Sequence, residues 1–184
     1  MTTEVPSEHQ IVAQLELGAN NNNHIDISLS IFNQAGRYLD NVYEHNIEAF
    51  NGAVTLTEAK STSTILVKLS ELPTDASFLY FSVSCYADLS LHTFGIQKDV
   101  NVKINASGSD SDDEVKLNNF ALSESVQDHD TVICGFLKRT SATHWTFDNS
   151  HNISKKLLSF GETFRFIHDM VGKQVITLNY STNP

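Results

Sequence analysis

The first two-thirds of the chain alternates between apolar and polar residues. Residues 25–32, Ile-Asp-Ile-Ser-Leu-Ser-Ile-Phe, place an apolar side chain at every second position until Phe32, and the stretches 11–17, 64–69 and 100–104 alternate in the same way. A period of two is typical of strands with one buried face. Residues 78–86 are mostly apolar, which predicts a strand covered on both faces. Further strand-like runs lie at 42–43, 54–56, 115–120, 132–137 and 144–147. This series predicts a sandwich or a barrel.

The last third changes to a helical period. Apolar side chains recur every three or four residues, at Ile153, Leu157, Phe160, Phe164, Ile167 and Val171. This stripe predicts one amphipathic helix over Ile153–Val171, with Gly172 at the position that follows a helix end. Residues 175–178 predict a last strand. No linker composition divides the chain, so we expect a flexible N-terminus over residues 1–10 and a single domain over 11–180.

Composition narrows the functional classes. The chain of 184 residues has 12 Lys and Arg against 22 Asp and Glu, a net charge of −10. An acidic surface repels phosphate backbones and anionic lipid, so we expect neither a nucleic acid nor a membrane as partner. No apolar run approaches the length of a membrane span, and no basic-then-apolar leader opens the sequence. We interpret Cys85 and Cys134, which lie in apolar runs, as reduced and buried thiols of a cytoplasmic protein.

A series of short motifs resembles the TerD family of tellurium-resistance and stress-response proteins. Residues 25–32 resemble the family's signature strand, in which Asp alternates with apolar residues, and residues 66–73, 78–84 and 93–95 follow in family order. Gly135 to Arg139 and His144 to Phe147 resemble its Gly-Glu-Leu-Tyr-Arg…Trp-x-Phe hairpin. The resemblance spans roughly residues 11–178. It implies a β-sandwich of two antiparallel sheets, mainly β, with the long C-terminal helix packed on it.

The resemblance also implies a calcium site, but this sequence departs from the family's ligands. The family uses three Asp of the signature strand and a downstream acidic loop. Those strand positions hold His24, Asp26 and Ser28, and the loop is shortened to residues 57–63, with Glu58 as its one carboxylate. Calcium needs six to eight hard oxygens, several of them anionic. We therefore expect calcium to bind weakly at these four residues or not at all.

Other candidate chemistry is sparse. Ser109 to Glu114 forms an acidic loop, which we interpret as a solvated hairpin tip, with Ser109 and Ser111 as possible phosphorylation sites. None of the scattered histidines has the spacing of a metal motif, and no serine or cysteine lies in a nucleophile signature.

We therefore expect no enzyme, but a stress-response or signalling module that binds or scaffolds, with a protein partner or a second copy of itself as partner. Three alternatives stay open. They are a calcium-binding protein with altered ligands, a relative of the TerD-like proteins described as cyclic-AMP-binding, and a small hydrolase that uses a histidine.

Overall fold

The computed structural model describes residues 2–18, 25–85, 99–108, 114–122, 131–149, 153–155 and 160–181, with side chains described except at 153–155, 160 and 176–181. These residues form thirteen strands, one short 3-10 turn at Leu69–Glu71 and one long helix. The strands, in chain order, are β1 (Thr2–Pro6), β2 (Gln10–Leu17), β3 (Ile25–Asn33), β4 (Tyr38–Val42), β5 (Glu48–Ala49), β6 (Val54–Ala59), β7 (Thr62–Lys68), β8 (Ala76–Cys85), β9 (Val100–Ser107), β10 (Glu114–Ala121), β11 (Thr131–Arg139), β12 (His144–Asp148) and β13 (Ile153–Lys155). The helix α1 spans Phe160–Ser181.

The strands form two antiparallel sheets, as the sequence predicted. Sheet A has the order β1-β12-β11-β8-β3-β4, with β13 pairing with β11, and sheet B has the order β10-β9-β2-β7-β6-β5. The alternating side chains of both sheets meet in an interior cluster that includes Leu15, Ile27, Ile65, Val102 and Trp145. Strand β8 is buried along almost its whole length, which confirms the prediction of a strand covered on both faces.

A second apolar cluster lies between sheet A and the helix. It joins Phe32, Phe78, Tyr80, Ile133 and Phe136 of the sheet to Ile167, Met170 and Val171 of α1. Because successive side chains of a strand point to opposite faces, β3 contributes Ile27 to the interior and Phe32 to the outer face. Sheet A is therefore covered on both sides.

The N-terminal residues differ from the flexible segment that the sequence suggested. Residues 2–6 form β1, which pairs along its whole length with β12, from Thr2 opposite Asp148 to Pro6 opposite His144. Val5 is buried in the interior cluster. A short polar sequence carries little periodic signal, so only the partner strand reveals this element.

The helix begins and ends later than the apolar spacing predicted. Ile153 to Lys155 belong to β13, whose pairing with Thr131, Val132 and Ile133 replaces the first helical turn. Residues 175–178, predicted as a strand, lie inside α1, and so does Gly172. Ile167 and Val171 are buried as predicted, and Phe164 is partly buried. The side chains of Leu157 and Phe160 lie outside the described residues.

Candidate functional site

The signature-like strand β3 presents its polar side chains on the outer face of sheet A, beneath α1. Its inward positions are the apolar residues Ile25, Ile27, Leu29 and Ile31, all in the interior cluster. The alternate positions, Asp26, Ser28, Ser30 and Phe32, therefore face the helix side. Ser28 and Ser30 are buried, whereas Asp26 is half-buried.

Neighbouring strands surround these residues with more hydroxyl groups. The register places Ser82 opposite Ser28, and Ser84 between Asp26 and Thr131. The oxygen atoms Ser28 Oγ and Ser82 Oγ are 2.8 Å apart, and Ser84 Oγ and Thr131 Oγ1 are 3.2 Å apart. Thr131 Oγ1 also contacts Thr163 Oγ1 of α1 at 3.3 Å. We call the buried residues Ser28, Ser30, Ser82, Ser84, Thr131 and Thr163 the hydroxyl patch. Each hydrogen bond named here joins two neutral groups.

The other half of the outer face is aromatic. Tyr80 stacks on Phe136 with ring centroids 4.8 Å apart, and Phe32 meets Tyr80 edge to face at 6.4 Å. We call Phe32, Phe78, Tyr80 and Phe136 the aromatic patch. The hydroxyl of Tyr80 is buried and has no hydrogen-bond partner among the described residues. Burial, together with the Asp148 carboxylate, raises the pKa of this hydroxyl above its usual value, so Tyr80 stays neutral.

Asp26 and Ser28, two of the residues predicted as calcium ligands, share one face of β3, but Glu58 belongs to the other sheet. Asp26 lies on the outer face of sheet A, beside Ser84, whereas Glu58 is exposed near the end of β6 in sheet B. Ser28 is buried and bonded to Ser82. His24 lies outside the described residues. In the described part of the chain, no three His, Cys, Asp or Glu residues are grouped as a metal site requires. The described members of the set therefore offer one carboxylate, that of Asp26, on this face, whereas calcium needs several anionic oxygens at one point.

The sequence matches the family model for the TerD domain over residues 1–158. The chain belongs to the TerD family. The search among curated proteins found no match.

Two solved structures share the fold of most of this chain. SAV2460, a protein of unknown function, is 12% identical, with a TM-score of 0.67, and the match covers 86% of this chain and 97% of that one. A homologue of the telluride resistance protein TerD from Streptomyces coelicolor A3(2) is 14% identical, with a TM-score of 0.61, covering 88% of this chain and 96% of the other. At these identities the likeness shows the fold alone.

The residues that resemble the TerD hairpin motif have packing roles in this structure. Gly135 has a φ of +138°, and β11 changes register with β8 between Ile133 and Gly135. An added Cβ at Gly135 would lie 2.6 Å from Cζ of Phe147, so the glycine makes room for that ring. The guanidinium of Arg139 lies 4.5 Å from the ring centre of Trp145, and its Nε donates to the carbonyl oxygen of Ala76 at 2.8 Å. These motif residues therefore help to pack neighbouring strands together.

The thiols are placed as the sequence predicted. Cys85 and Cys134 are both buried, and no disulfide joins them. Burial raises the pKa of the Cys134 thiol, so it stays protonated and unreactive near neutral pH. No helix in the described ranges combines the length and the hydropathy that a membrane span requires.

A second candidate surface lies on the outer face of sheet B. Lys103, Asn105, Glu114, Lys116 and Asn119 line a shallow depression of about 230 Å³. Lys103 already forms an ion pair with Glu16 at 2.6 Å, and Asn105 donates to Glu114 at 2.5 Å. Positive and negative charges balance in this surface, so it does not select a ligand of one charge.

Neither the hydroxyl patch nor Tyr80 was predicted from the sequence. A signal for both was present, because residues 78, 80, 82 and 84 alternate as Phe, Tyr, Ser and Ser along β8. That alternation shows that these four side chains share one face. The sequence did not reveal that Ser82 lies opposite Ser28, because pairing between strands 54 residues apart depends on the sheet order.

Proposed function

We propose that this TerD domain is a non-catalytic module for stress response or signalling, which acts by binding or scaffolding and has a degenerate calcium site. The bond between Ser28 and Ser82 carries the proposal. The family resemblance implies a carboxylate ligand at position 28. This chain instead has the buried, neutral hydroxyl of Ser28 there, and that hydroxyl is already hydrogen-bonded to Ser82.

The charge and geometry around Asp26 support the same conclusion. Ser84 of β8 lies opposite Asp26, and Thr131 of β11 lies opposite Ser84. Both of these side chains are neutral. Neutral oxygens alone offset the dehydration of calcium poorly. Glu58, the other carboxylate of the predicted set, belongs to the opposite sheet. We therefore expect a millimolar dissociation constant for calcium or no saturable binding.

The chemistry of the buried groups supports a role without catalysis. Burial raises the pKa of the Cys134 thiol, which keeps it protonated, and three hydrogen bonds pair hydroxyls of the patch with one another. A nucleophile needs a base within hydrogen-bond reach. A binding or scaffold role needs only a stable surface, which the two-sheet sandwich provides.

A calcium titration by calorimetry tests the proposal, with melting curves in calcium and in chelator as a second readout. We expect no saturable heat at micromolar calcium and equal melting temperatures in the two buffers. Asp26→Ala and the surface variant Glu71→Ala should give the same heats as the parent protein. A micromolar, saturable heat that Asp26→Ala abolishes and Glu71→Ala leaves intact would instead establish a calcium-binding protein with altered ligands.

A further inference from the structure

Asn51 and Gly52 form the tip of the hairpin that joins β5 to β6. Their φ angles are +54° and +84°, and the carbonyl oxygen of Phe50 accepts a hydrogen bond from the N–H of Ala53 at 3.2 Å. Positive φ at both central residues is typical of a type I′ turn, which favours Asn followed by Gly. The turn therefore places the one Asn-Gly pair of this sequence at a hairpin tip.

This pair lies open to water. Asn51 is exposed, and apart from the chain neighbours of Gly52 no described residue has an atom within 4 Å of a Cβ added at Gly52. A glycine also has no side chain of its own to cover its peptide nitrogen. Packing therefore shields neither the peptide nitrogen of Gly52 nor the side-chain amide of Asn51.

The hairpin is weakly held at this tip. Strand β5 has two residues, lies at the edge of sheet B and pairs with Val54 and Thr55 of β6. Phe50 has a φ of +52°, which is strained for a residue with a Cβ, and opening of the turn relieves that strain. Short elements with few hydrogen bonds open locally without unfolding the domain. Such opening lets Asn51 rotate until its Cγ reaches the peptide nitrogen of Gly52.

We propose that Asn51 is a site of spontaneous deamidation through a succinimide. The peptide nitrogen of Gly52 loses its proton to base and attacks Cγ of Asn51. The N–Cγ bond forms, the Cγ–Nδ2 bond breaks, and the amide leaves as ammonia with a proton from water. A second water molecule then opens the ring. Cleavage of the new N–Cγ bond gives aspartate, whereas cleavage of the original peptide bond gives isoaspartate, whose main chain runs through Cγ.

The two products have different effects on the hairpin. Aspartate tolerates positive φ, so the turn keeps its shape. Isoaspartate adds a methylene carbon to the main chain, so the hydrogen bond between Phe50 and Ala53 loses its geometry. The carbonyl oxygen of Ala53 also accepts from the N–H of Lys68 at 2.8 Å, so the change extends to β7. Each product adds a negative charge to a chain that already carries −10.

Ageing of the folded protein at mildly alkaline pH tests the proposal, since base removes the proton from the attacking nitrogen. Peptide mapping by mass spectrometry locates the mass gain of about one dalton, and fragmentation distinguishes isoaspartate from aspartate. Asn119 is the internal control, because it is also exposed but lies in β10 and is followed by Phe120. Asn51→Gln is the matched variant, since its longer side chain requires a larger ring that forms more slowly.

We expect Asn51 to react at least about tenfold faster than Asn119, with isoaspartate as the main product and no gain at position 51 in Asn51→Gln. A rate at Asn51 no higher than that at Asn119 would overturn the proposal, because the turn would then stay closed. Aspartate without isoaspartate would overturn it as well, because direct hydrolysis of the side-chain amide does not pass through a succinimide.

Hydrogen exchange tests the effect on the hairpin. The backbone amides of Ala53 and Lys68 should exchange faster in the aged protein than in the fresh protein. Asn51→Asp is the control for charge alone, and its amides should exchange at the fresh rate. Equal exchange in aged and fresh protein would contradict the opening of the turn by isoaspartate. None of these results bears on the calcium titration, which depends on Asp26.

Discussion

Replacing Gly135 by alanine tests how the TerD-like hairpin is packed. The added Cβ would lie 2.6 Å from Cζ of Phe147 and 3.0 Å from the carbonyl oxygen of Asp148. The φ of +138° at this position is also one that residues with a Cβ rarely adopt. The substitution therefore combines a steric clash in a buried region with backbone strain.

The two effects have separable magnitudes. Overpacking of a well-packed core costs about 1–3 kcal/mol, and backbone strain at a residue with positive φ costs about 1–2 kcal/mol. We expect Gly135→Ala to lower the free energy of unfolding by about 2–5 kcal/mol. That is a large part of the roughly 5–15 kcal/mol that stabilises a typical domain. With a urea dependence of about 2 kcal/mol per molar, the midpoint should fall by about 1–2.5 M.

Urea unfolding followed by tryptophan fluorescence measures the effect, because the single Trp145 is buried beside this hairpin. Gly52→Ala is the matched control: its φ is +84°, but nothing lies within 4 Å of an added Cβ. It should lose only the strain energy, about 1–2 kcal/mol. Phe147→Leu removes the clashing atom, so it should recover part of the loss when combined with Gly135→Ala. Equal losses for the two glycine variants, with no coupling to Phe147, would refute the proposed packing.

Two further substitutions should stabilise the protein, whereas most mutations destabilise it. Tyr80→Phe removes the unpaired hydroxyl, and chemical denaturation should show a gain of about 1 kcal/mol. Burial raises the folded-state pKa of Tyr80 above its unfolded value, so ionisation of this tyrosine in the unfolded chain lowers the free energy of unfolding as the pH rises above about 10. The phenylalanine variant should lose less stability than the parent above pH 10, and an unchanged alkaline profile would contradict the raised pKa. Gly172→Ala should stabilise the protein by up to about 1 kcal/mol, since nothing lies within 4 Å of the added Cβ inside α1. A thermal melt showing destabilisation would indicate that the helix ends at residue 172 instead.

Local sequence determined which side of each strand is buried. Strand β3 is the clearest case, because its period of two separates Ile27 and Leu29 from Ser28 and Ser30 whatever the strand order. The middle of α1 follows from the same kind of local repeat, with Ile167 and Val171 four residues apart on one buried face. A repeat of this kind needs only the geometry of one element, so neighbouring residues are enough to reveal it.

Tertiary structure decided where elements end and which residues meet. Ile153 to Lys155 fit a helical stripe by spacing, but pairing with β11 makes them a strand. The predicted ligands Asp26 and Glu58 lie on different sheets, while Ser28 meets Ser82 from a strand 54 residues away. These outcomes depend on the order of strands in the sheets. Strand order is set by the combined burial and hydrogen bonding of distant segments, which no single stretch of sequence specifies.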